Sequence, residues 1–339
     1  ISVIIPVYNA APYVRQAVES ALMQPQTGEI VLIEDASPDD SLLVCEELTA
    51  KYDKVRLLRH PNGENRGAGE SRNLGIRESR YDIIAFLDAD DFYLPDRFTE
   101  PLRIMAKTGA DGVYESIEPH FESVATEERW NRARGRSEIT GVATTMHEPI
   151  PPDQLFAALT NGKKGNFTLD GLVVRRDALM DVGMFPELRK GQDTSLLRKL
   201  AAVHTLMPGR ISTPVTRYRV HDKNRVAGVD RPPADVRRWR KRVWLDVWQW
   251  GHNRLTSTQK NIMLHNLVGY MYAGIAKRGP FNRVLLALQA RLHITHILIQ
   301  APDLALHPRF WFCYVPNLRF IVYRLSRLWR HLQGKGNRH

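Results

Sequence analysis

The feature that most limits how this chain can fold is a rhythm in its first hundred residues. Ser2–Pro6 is a short apolar run closed by proline, followed by a helical pattern from about Tyr13 to Met23. Glu29–Glu34 (E-I-V-L-I-E) comes next, then a helical pattern from about Ser41 to Tyr52. Lys54–Arg59 leads through a Gly/Asn-rich loop to a helix from about Ala68 to Ser79. Tyr81–Leu87 (Y-D-I-I-A-F-L) is a fourth run, with Pro95 opening another helix. Continuous short apolar runs are buried on both faces. Alternation with helices therefore predicts an α/β fold, with a mostly parallel sheet covered by helices on both sides.

The rhythm fades from about Glu118 to Pro152, a polar stretch with charged clusters such as Glu127-Glu128-Arg129, which reads as an inserted loop region. It resumes with a strand at Gly171–Val174, helices near Asp177 and from Asp193 to Ala202, and a strand at Pro214–Val220. After Arg231-Pro232-Pro233 the chain is helical and basic to its end. Two regions are expected, residues 1–222 and a helical basic extension over 223–339, with no internal repeat at the usual periods.

At 43% hydrophobic and 25% charged residues the composition is that of a folded protein. Two distant cysteines, Cys45 and Cys313, exclude a disulfide framework and a cysteine zinc site. The net charge of +11 is unevenly spread: residues 1–221 carry 27 Lys and Arg against 32 Asp and Glu, whereas residues 222–339 carry 21 against 5. That asymmetry predicts a slightly acidic body joined to a tail that meets something anionic. No stretch of 18 residues is apolar and free of charge. With no leader visible ahead of the first strand, the expected location is cytoplasmic.

In open α/β sheets ligands bind outside the carboxyl ends of the strands. Here strand one ends in Pro6-Val7-Tyr8-Asn9, strand two in Glu34-Asp35-Ala36-Ser37 and strand four in Asp88-Ala89-Asp90-Asp91. Parallel strands would bring these endings onto one rim, two of them rich in carboxylates. Carboxylates crowded together need a counter-charge, and oxygen ligands suit Mg²⁺ or Mn²⁺, which prefer one or two carboxylates plus the phosphates of a substrate. Aspartates at strand ends also serve as turns and caps, a role open to Asp91 and Asp96 ahead of the helix after Pro95. The turn after strand one lacks G-x-G-x-x-G, and neither a G-K-[ST] phosphate loop nor a G-x-S-x-G elbow occurs.

Four motifs in order, S-V-I-I-P-V-Y-N-A, I-V-L-I-E-D-A-S, N-R-G-A-G-E-S-R-N-L-G and I-I-A-F-L-D-A-D-D, resemble the family 2 glycosyltransferases of the GT-A fold. A second set follows, G-M-F-P-E, G-Q-D-T-S-L-L-R-K-L and Y-R-V-H-D-K-N, so that the resemblance covers about Ile1 to Asn224. It implies that Asp35 holds the nucleobase of a nucleotide-sugar donor, with Pro6 and Tyr8 lining the same pocket. Arg72 is implied as a base-side or phosphate contact and Asp88, with Ala89 beside it, as a donor contact at the ribose or metal. Asp90 is implied as the principal metal ligand, His221 as completing the metal or diphosphate site, and Asp193 as the catalytic base. Two departures stand out: Gln192-Asp193 replaces the usual Glu-Asp, and Asp35-Ala36-Ser37 replaces D-G-S. Taken alone, Asp193 reads sooner as a helix cap and His221 as a structural histidine, whereas Arg72, open to a solvent-facing reading, stands beside the binding rim.

What the resemblance implies is transfer of a sugar, with inversion, from a nucleotide-sugar donor (UDP as the family-based choice) to a saccharide or lipid-linked acceptor hydroxyl. The expected setting is surface polysaccharide or glycolipid synthesis, with Mn²⁺ or Mg²⁺ as cofactor. The polar middle and Asn161–Gly165 are candidates for closing over the acceptor. In the tail, Leu318, Ile321, Val322, Leu325, Leu328, Trp329 and Leu332 recur at helical spacing, with Arg319, Arg327 and Arg330 towards another side. Around Val236–Trp250 five basic residues are interleaved with Trp239, Trp244, Trp248 and Trp250. Basic amphipathic helices with tryptophan suggest peripheral contact with an anionic membrane at the inner face of the cell membrane, or else packing on the body or a second subunit. Two other classes compete. A sugar-nucleotide pyrophosphorylase would need a glycine-rich loop after strand one, and a nucleic-acid-binding protein would leave Asp35, Asp88 and Asp90 unexplained, so no nucleic-acid partner is expected.

Overall fold

The structure is a computed structural model of the chain and describes residues 1–134, 146, 148–162, 164–221, 233–272 and six positions between 295 and 304. The first elements follow the sequence rhythm: β1 (Ser2–Val7), α1 (Val14–Leu22), β2 (Glu29–Glu34), α2 (Ser41–Lys51), β3 (Val55–Arg59), α3 (Gly67–Glu78) and β4 (Ile83–Phe86). Then come β5 (Phe92–Tyr93), α4 (Thr99–Thr108), β6 (Gly112–Tyr114), β7 (Ser116–Phe121), α5 (Val124–Arg134), α6 (Pro152–Asn161), β8 (Leu172–Arg175), α7 (Arg176–Asp181), α8 (Gln192–Val203), β9 (Leu206–Pro208) and β10 (Pro214–Val220). Two helices, α9 (Pro233–Trp250) and α10 (Ser257–Tyr272), complete the described elements.

The main sheet has seven strands in the order β3-β2-β1-β4-β8-β6-β9. All neighbours are parallel except β8, which runs antiparallel to both β4 and β6. Its core is the expected one. Val3, Ile5, Ile30, Leu32 and Ala85 are fully buried under Val14, Ala17 and Val18 of α1. The strand order reverses direction on either side of β1, with β2 to one side and β4 to the other, and such a switch point opens a crevice at the strand carboxyl ends. This is the α/β, mostly parallel architecture that the sequence predicts.

A second sheet, β5-β10-β7, was not expected. The polar stretch after Glu118 is therefore not an inserted loop throughout. β7 pairs in parallel with β10, about a hundred residues further along, so its pattern carries no local partner to reveal it. Ile117, Trp130 of α5 and Val220 then close a small core of their own. Residues 92–94 are drawn into the same sheet: Phe92 and Tyr93 pair with β10, and Leu94 N–H donates to the Val215 carbonyl (2.9 Å). That pairing delays α4, which begins at Thr99 rather than at Pro95. Asn161–Gly165, a candidate for closing over the acceptor, begins as the end of α6, where Gly162 takes a left-handed conformation (φ +64°) and its N–H caps the Ala158 carbonyl.

The chain divides into two compact units, Ile1–Val243 and Trp244–His339, the division falling within α9. In the second unit Trp244 and Trp248 are not surface anchors. Their rings stack at 5.1 Å, both are buried, and Trp244 Nε1 donates to the Met263 carbonyl (2.9 Å). Among the described residues no helix is long and apolar enough to cross a membrane. The stripe from Leu318 to Leu332, with Arg319, Arg327 and Arg330, lies outside the described residues.

Candidate functional site

The carboxyl ends of β1, β2 and β4 face a cleft of about 1220 Å³. Its lining includes Pro6, Tyr8, Asp35, Arg72, Asp88, Ala89, Asp90 and His221, the residues singled out from the sequence as donor or metal contacts. They come from the ends of β1, β2 and β4, from α3 and from the end of β10, so the main sheet, a helix and the second sheet all contribute. Asp193 stands apart from this lining: it is exposed in the first turn of α8, next to Gln192, which does face the cleft. Gly191, with φ +79°, sets the entry to that helix, and a side chain there would overlap Val243 and Trp239.

At the end of β2, Asp35 is 2% exposed and fully engaged with backbone. Its two carboxylate oxygens accept the N–H groups of Arg66 (2.7 Å) and Gly67 (2.8 Å), and its carbonyl accepts Asn65 Nδ2 (2.7 Å). A carboxylate on the free amides of a helix N-terminus satisfies donors that the helix itself cannot, and favours the helix dipole. Ala36, next along, is held left-handed at φ +57°. There an L-residue costs about 1–2 kcal/mol, which gives a physical reason for the glycine usual at this position. Asn9 donates its N–H to Ser37 Oγ (3.1 Å), which ties the β1 and β2 endings together.

The end of β4 is built differently. The Arg72 guanidinium donates to Asp88 Oδ1, and Asp88 N–H donates to Asp170 Oδ1 (3.0 Å). Asp91 does not cap α4. It is 1% exposed, its Oδ1 accepts the Arg219 N–H (2.8 Å), and its Oδ2 has no hydrogen-bond partner. Asp170, which sequence reasoning passed over, sits in the turn before β8 and is also buried. Burial, then the charge of Asp88, pushes the Asp170 carboxyl up to about 8; burial, then Asp170 and Asp90, raises Asp91 well above the usual range. Burial works against the charge on Arg72, but Asp88, Asp170 and Asp193 outweigh it and hold the guanidinium protonated.

Asp90 is steadied from two sides. Its carbonyl accepts Arg219 Nε (2.8 Å), and its Oδ2 lies 3.2 Å from His221 Nε2. The His221 ring stacks on Tyr13 (4.9 Å between centroids), and the Arg219 guanidinium lies over the same tyrosine. Tyr13 and Arg219 were not picked out from sequence; the Arg two residues before His221 on β10 was the available signal for one of them. The signal for Asp170 was an acid inside the apolar run F-T-L-D-G-L-V-V.

These side chains fit a hard divalent cation. Asp88, Asp91 and Asp170 bring carboxylate oxygens within 4.8 Å of one another, and Asp91 Oδ2 is a buried acceptor without a donor. The Asp90–His221 pair offers oxygen and nitrogen at the open cleft. Oxygen-rich sets of this kind suit Mg²⁺ or Mn²⁺.

Comparison with known proteins agrees with this geometry. The family model described as Glycosyl transferase family 2 matches residues 2–183. An uncharacterized glycosyltransferase of Haemophilus influenzae is 39% identical over 106 residues, 31% of this chain and 42% of that protein. The succinoglycan biosynthesis protein ExoU of Rhizobium meliloti is 35% identical over 117 residues, 34% of this chain and 33% of its own length. The chain thus spans less than half the length of either relative. Among solved structures, S. aureus TarS 1–349 in complex with UDP superposes with a TM-score of 0.59 at 16% identity, covering 92% of this chain and 86% of that one. The mannosyltransferase PcManGT of Pyrobaculum calidifontis, in complex with GDP-Man and Mn²⁺, gives 0.51 at 17% identity, covering 97% and 87%. At such identities the likeness is one of fold.

Proposed function

The chain belongs to glycosyl transferase family 2, and from that premise we propose that it is an inverting, metal-dependent transferase that moves a sugar from a nucleotide-sugar donor, UDP-linked, onto an acceptor hydroxyl. The observation that carries the reading is the convergence of Asp35, Arg72, Asp88, Asp90 and His221 on one cleft at the switch point of the sheet. The nucleoside lies against Pro6, Tyr8 and the β2 ending. Arg72, with Asp88, meets the ribose or phosphates. A divalent cation, Mg²⁺ or Mn²⁺, would be held at Asp90 and His221 beside Asp88, where it supplies the positive charge that a departing diphosphate requires. Asp193, exposed at the start of α8, accepts the proton of the acceptor hydroxyl as that oxygen attacks the anomeric carbon. One base facing away from the leaving group gives a single displacement with inversion.

Membership of a family with relatives in polysaccharide synthesis supports a saccharide or lipid-linked acceptor. Residues 1–222 form the catalytic region in this reading. Residues 223–339, with 21 basic residues against 5 acidic, hold the protein at an anionic membrane surface by charge. With Trp244 and Trp248 buried, that attachment falls to the cations, each contributing about 1 kcal/mol near such a surface. Co-sedimentation with liposomes containing anionic lipid should succeed at low salt and weaken as salt rises.

The donor reading is tested by thermal shift with a panel of nucleotide sugars, with and without Mn²⁺. A ligand that binds only the folded state raises its melting temperature. One nucleotide sugar should do so, and more strongly with Mn²⁺. If none shifts the transition under either condition, the cleft is not a donor site.

A further inference from the structure

We propose that Asp88, Asp91 and Asp170 form a cation site of their own, which takes up Mn²⁺ or Mg²⁺ before any nucleotide arrives. It is separate from the Asp90–His221 pair that meets a cation together with the donor diphosphate. The inference rests on the reading of the cleft as a metal-assisted donor site, and concerns which residues of this chain hold metal in the resting protein.

Three observations combine. The carboxylate oxygens of the three residues lie within 4.8 Å of one another although Asp170 is about eighty residues away in sequence, so the fold has assembled the group. Among the described residues, Arg72 reaches it through Asp88, and the other guanidinium at Asp170, Arg97, is already paired with Glu115, so negative charge is in excess. Buried carboxylates in such a deficit are unfavourable until protons or a further cation neutralise them, and a divalent ion does so while replacing the protons. Asp91 then offers an acceptor with nothing to accept from: the residue is 1% exposed, Oδ1 is taken by the Arg219 N–H, and Oδ2 is without a partner. Oxygen-only ligands at this spacing select hard divalent ions over zinc or copper.

The site also has a way in and a support. The Asp88 side chain is 38% exposed, so a cation reaches the group from the cleft. Asp170 is fixed from behind, its carbonyl accepting Arg97 Nη2 (3.1 Å) and Thr216 Oγ1 (3.0 Å). Arg97 is itself paired with Glu115 Oε2 at 2.7 Å, both side chains being fully buried. Gly171 follows Asp170 at a point where a Cβ would overlap the Glu115 carbonyl oxygen, and its own carbonyl accepts the Glu115 N–H (2.8 Å), which ties the turn to the neighbouring chain. A ligand whose backbone is locked by a buried ion pair is prepared for metal without reorganising.

The test uses the full chain, freed of metal and without nucleotide, and Mn²⁺ alone as probe. Electron paramagnetic resonance should show one saturable Mn²⁺ site. Spin-echo modulation of the bound ion should lack the coupling of an imidazole nitrogen, because the ligands are carboxylates. Asp170→Asn, which keeps an oxygen for the Asp88 N–H, and Asp91→Asn should each weaken this binding by about tenfold or more; His221→Ala should leave it unchanged. The proposal is overturned if Mn²⁺ binds only when a nucleotide is present, if its echo shows imidazole nitrogen, or if both aspartate variants bind as the parent does. The first two readings need only the parent protein. Binding of Mn²⁺ that requires a nucleotide would remove this site while leaving the glycosyltransferase reading standing.

Discussion

Two aspartate-bearing strand ends, those of β2 and β4, occupy the same topological position and do opposite work. At β2 the carboxylate of Asp35 is engaged by the fold, since each oxygen holds a backbone N–H group that opens α3. At β4 the carboxylates of Asp88, Asp91 and Asp170 crowd together with too little positive charge around them. An aspartate given its donors by the chain stabilises the fold, whereas one left short of them stabilises whatever brings positive charge. In this cleft the first kind shapes the wall, and the second kind is the group we propose to hold a cation.

The largest expected effect concerns a carboxylate that belongs to neither strand end and so bounds the comparison. Asp193→Asn should lower transfer by about 10²–10⁴, the worth of general acid–base catalysis, with donor affinity within a few-fold of the parent. Steady-state transfer and calorimetric donor titration check both halves; near-normal transfer would move the base elsewhere. At the β2 end, Asp35→Asn turns an amide NH₂ against a backbone N–H and should destabilise by about 1–3 kcal/mol in denaturant unfolding. At the β4 end the sign should reverse. Asp91→Asn relieves like-charge crowding and should stabilise the metal-free protein by about 1 kcal/mol, measured in chelator. Equal destabilisation at both ends would break the distinction. The smallest change is Ala36→Gly: relief of the left-handed alanine, less the entropy of glycine, should leave a gain of about 0.5–1 kcal/mol.

How much of this was legible in the sequence follows from the range of the interactions. The β1–β4 half announces itself because each strand and helix carries its own apolar pattern and because its strand endings are short local motifs. The β5-β10-β7 sheet does not, since Ser116–Phe121 is recognisable as a strand only when Pro214–Val220 is beside it. The candidate site divides in the same way. Asp88 and Asp90 are visible as a motif. Asp170 reaches Asp88 through an antiparallel strand, β8, whose pairing with β4 no local pattern states. The division of roles between Asp35 and Asp91 lies in hydrogen bonds from Arg66, Gly67 and Arg219, which residue identity does not encode. Tryptophan misled in the opposite direction: Trp244 and Trp248 among arginines suggest a membrane face, but they stack within the second unit.

The central claim is that the β4 ending, through Asp90, couples metal to the nucleotide. Calorimetric titration of UDP into the parent protein and into Asp90→Ala, each with and without Mn²⁺, tests it directly. The parent should bind UDP more tightly when Mn²⁺ is present. Asp90→Ala should lose that gain while remaining folded by circular dichroism. An undiminished Mn²⁺-dependent gain in the folded Asp90→Ala variant would contradict the account.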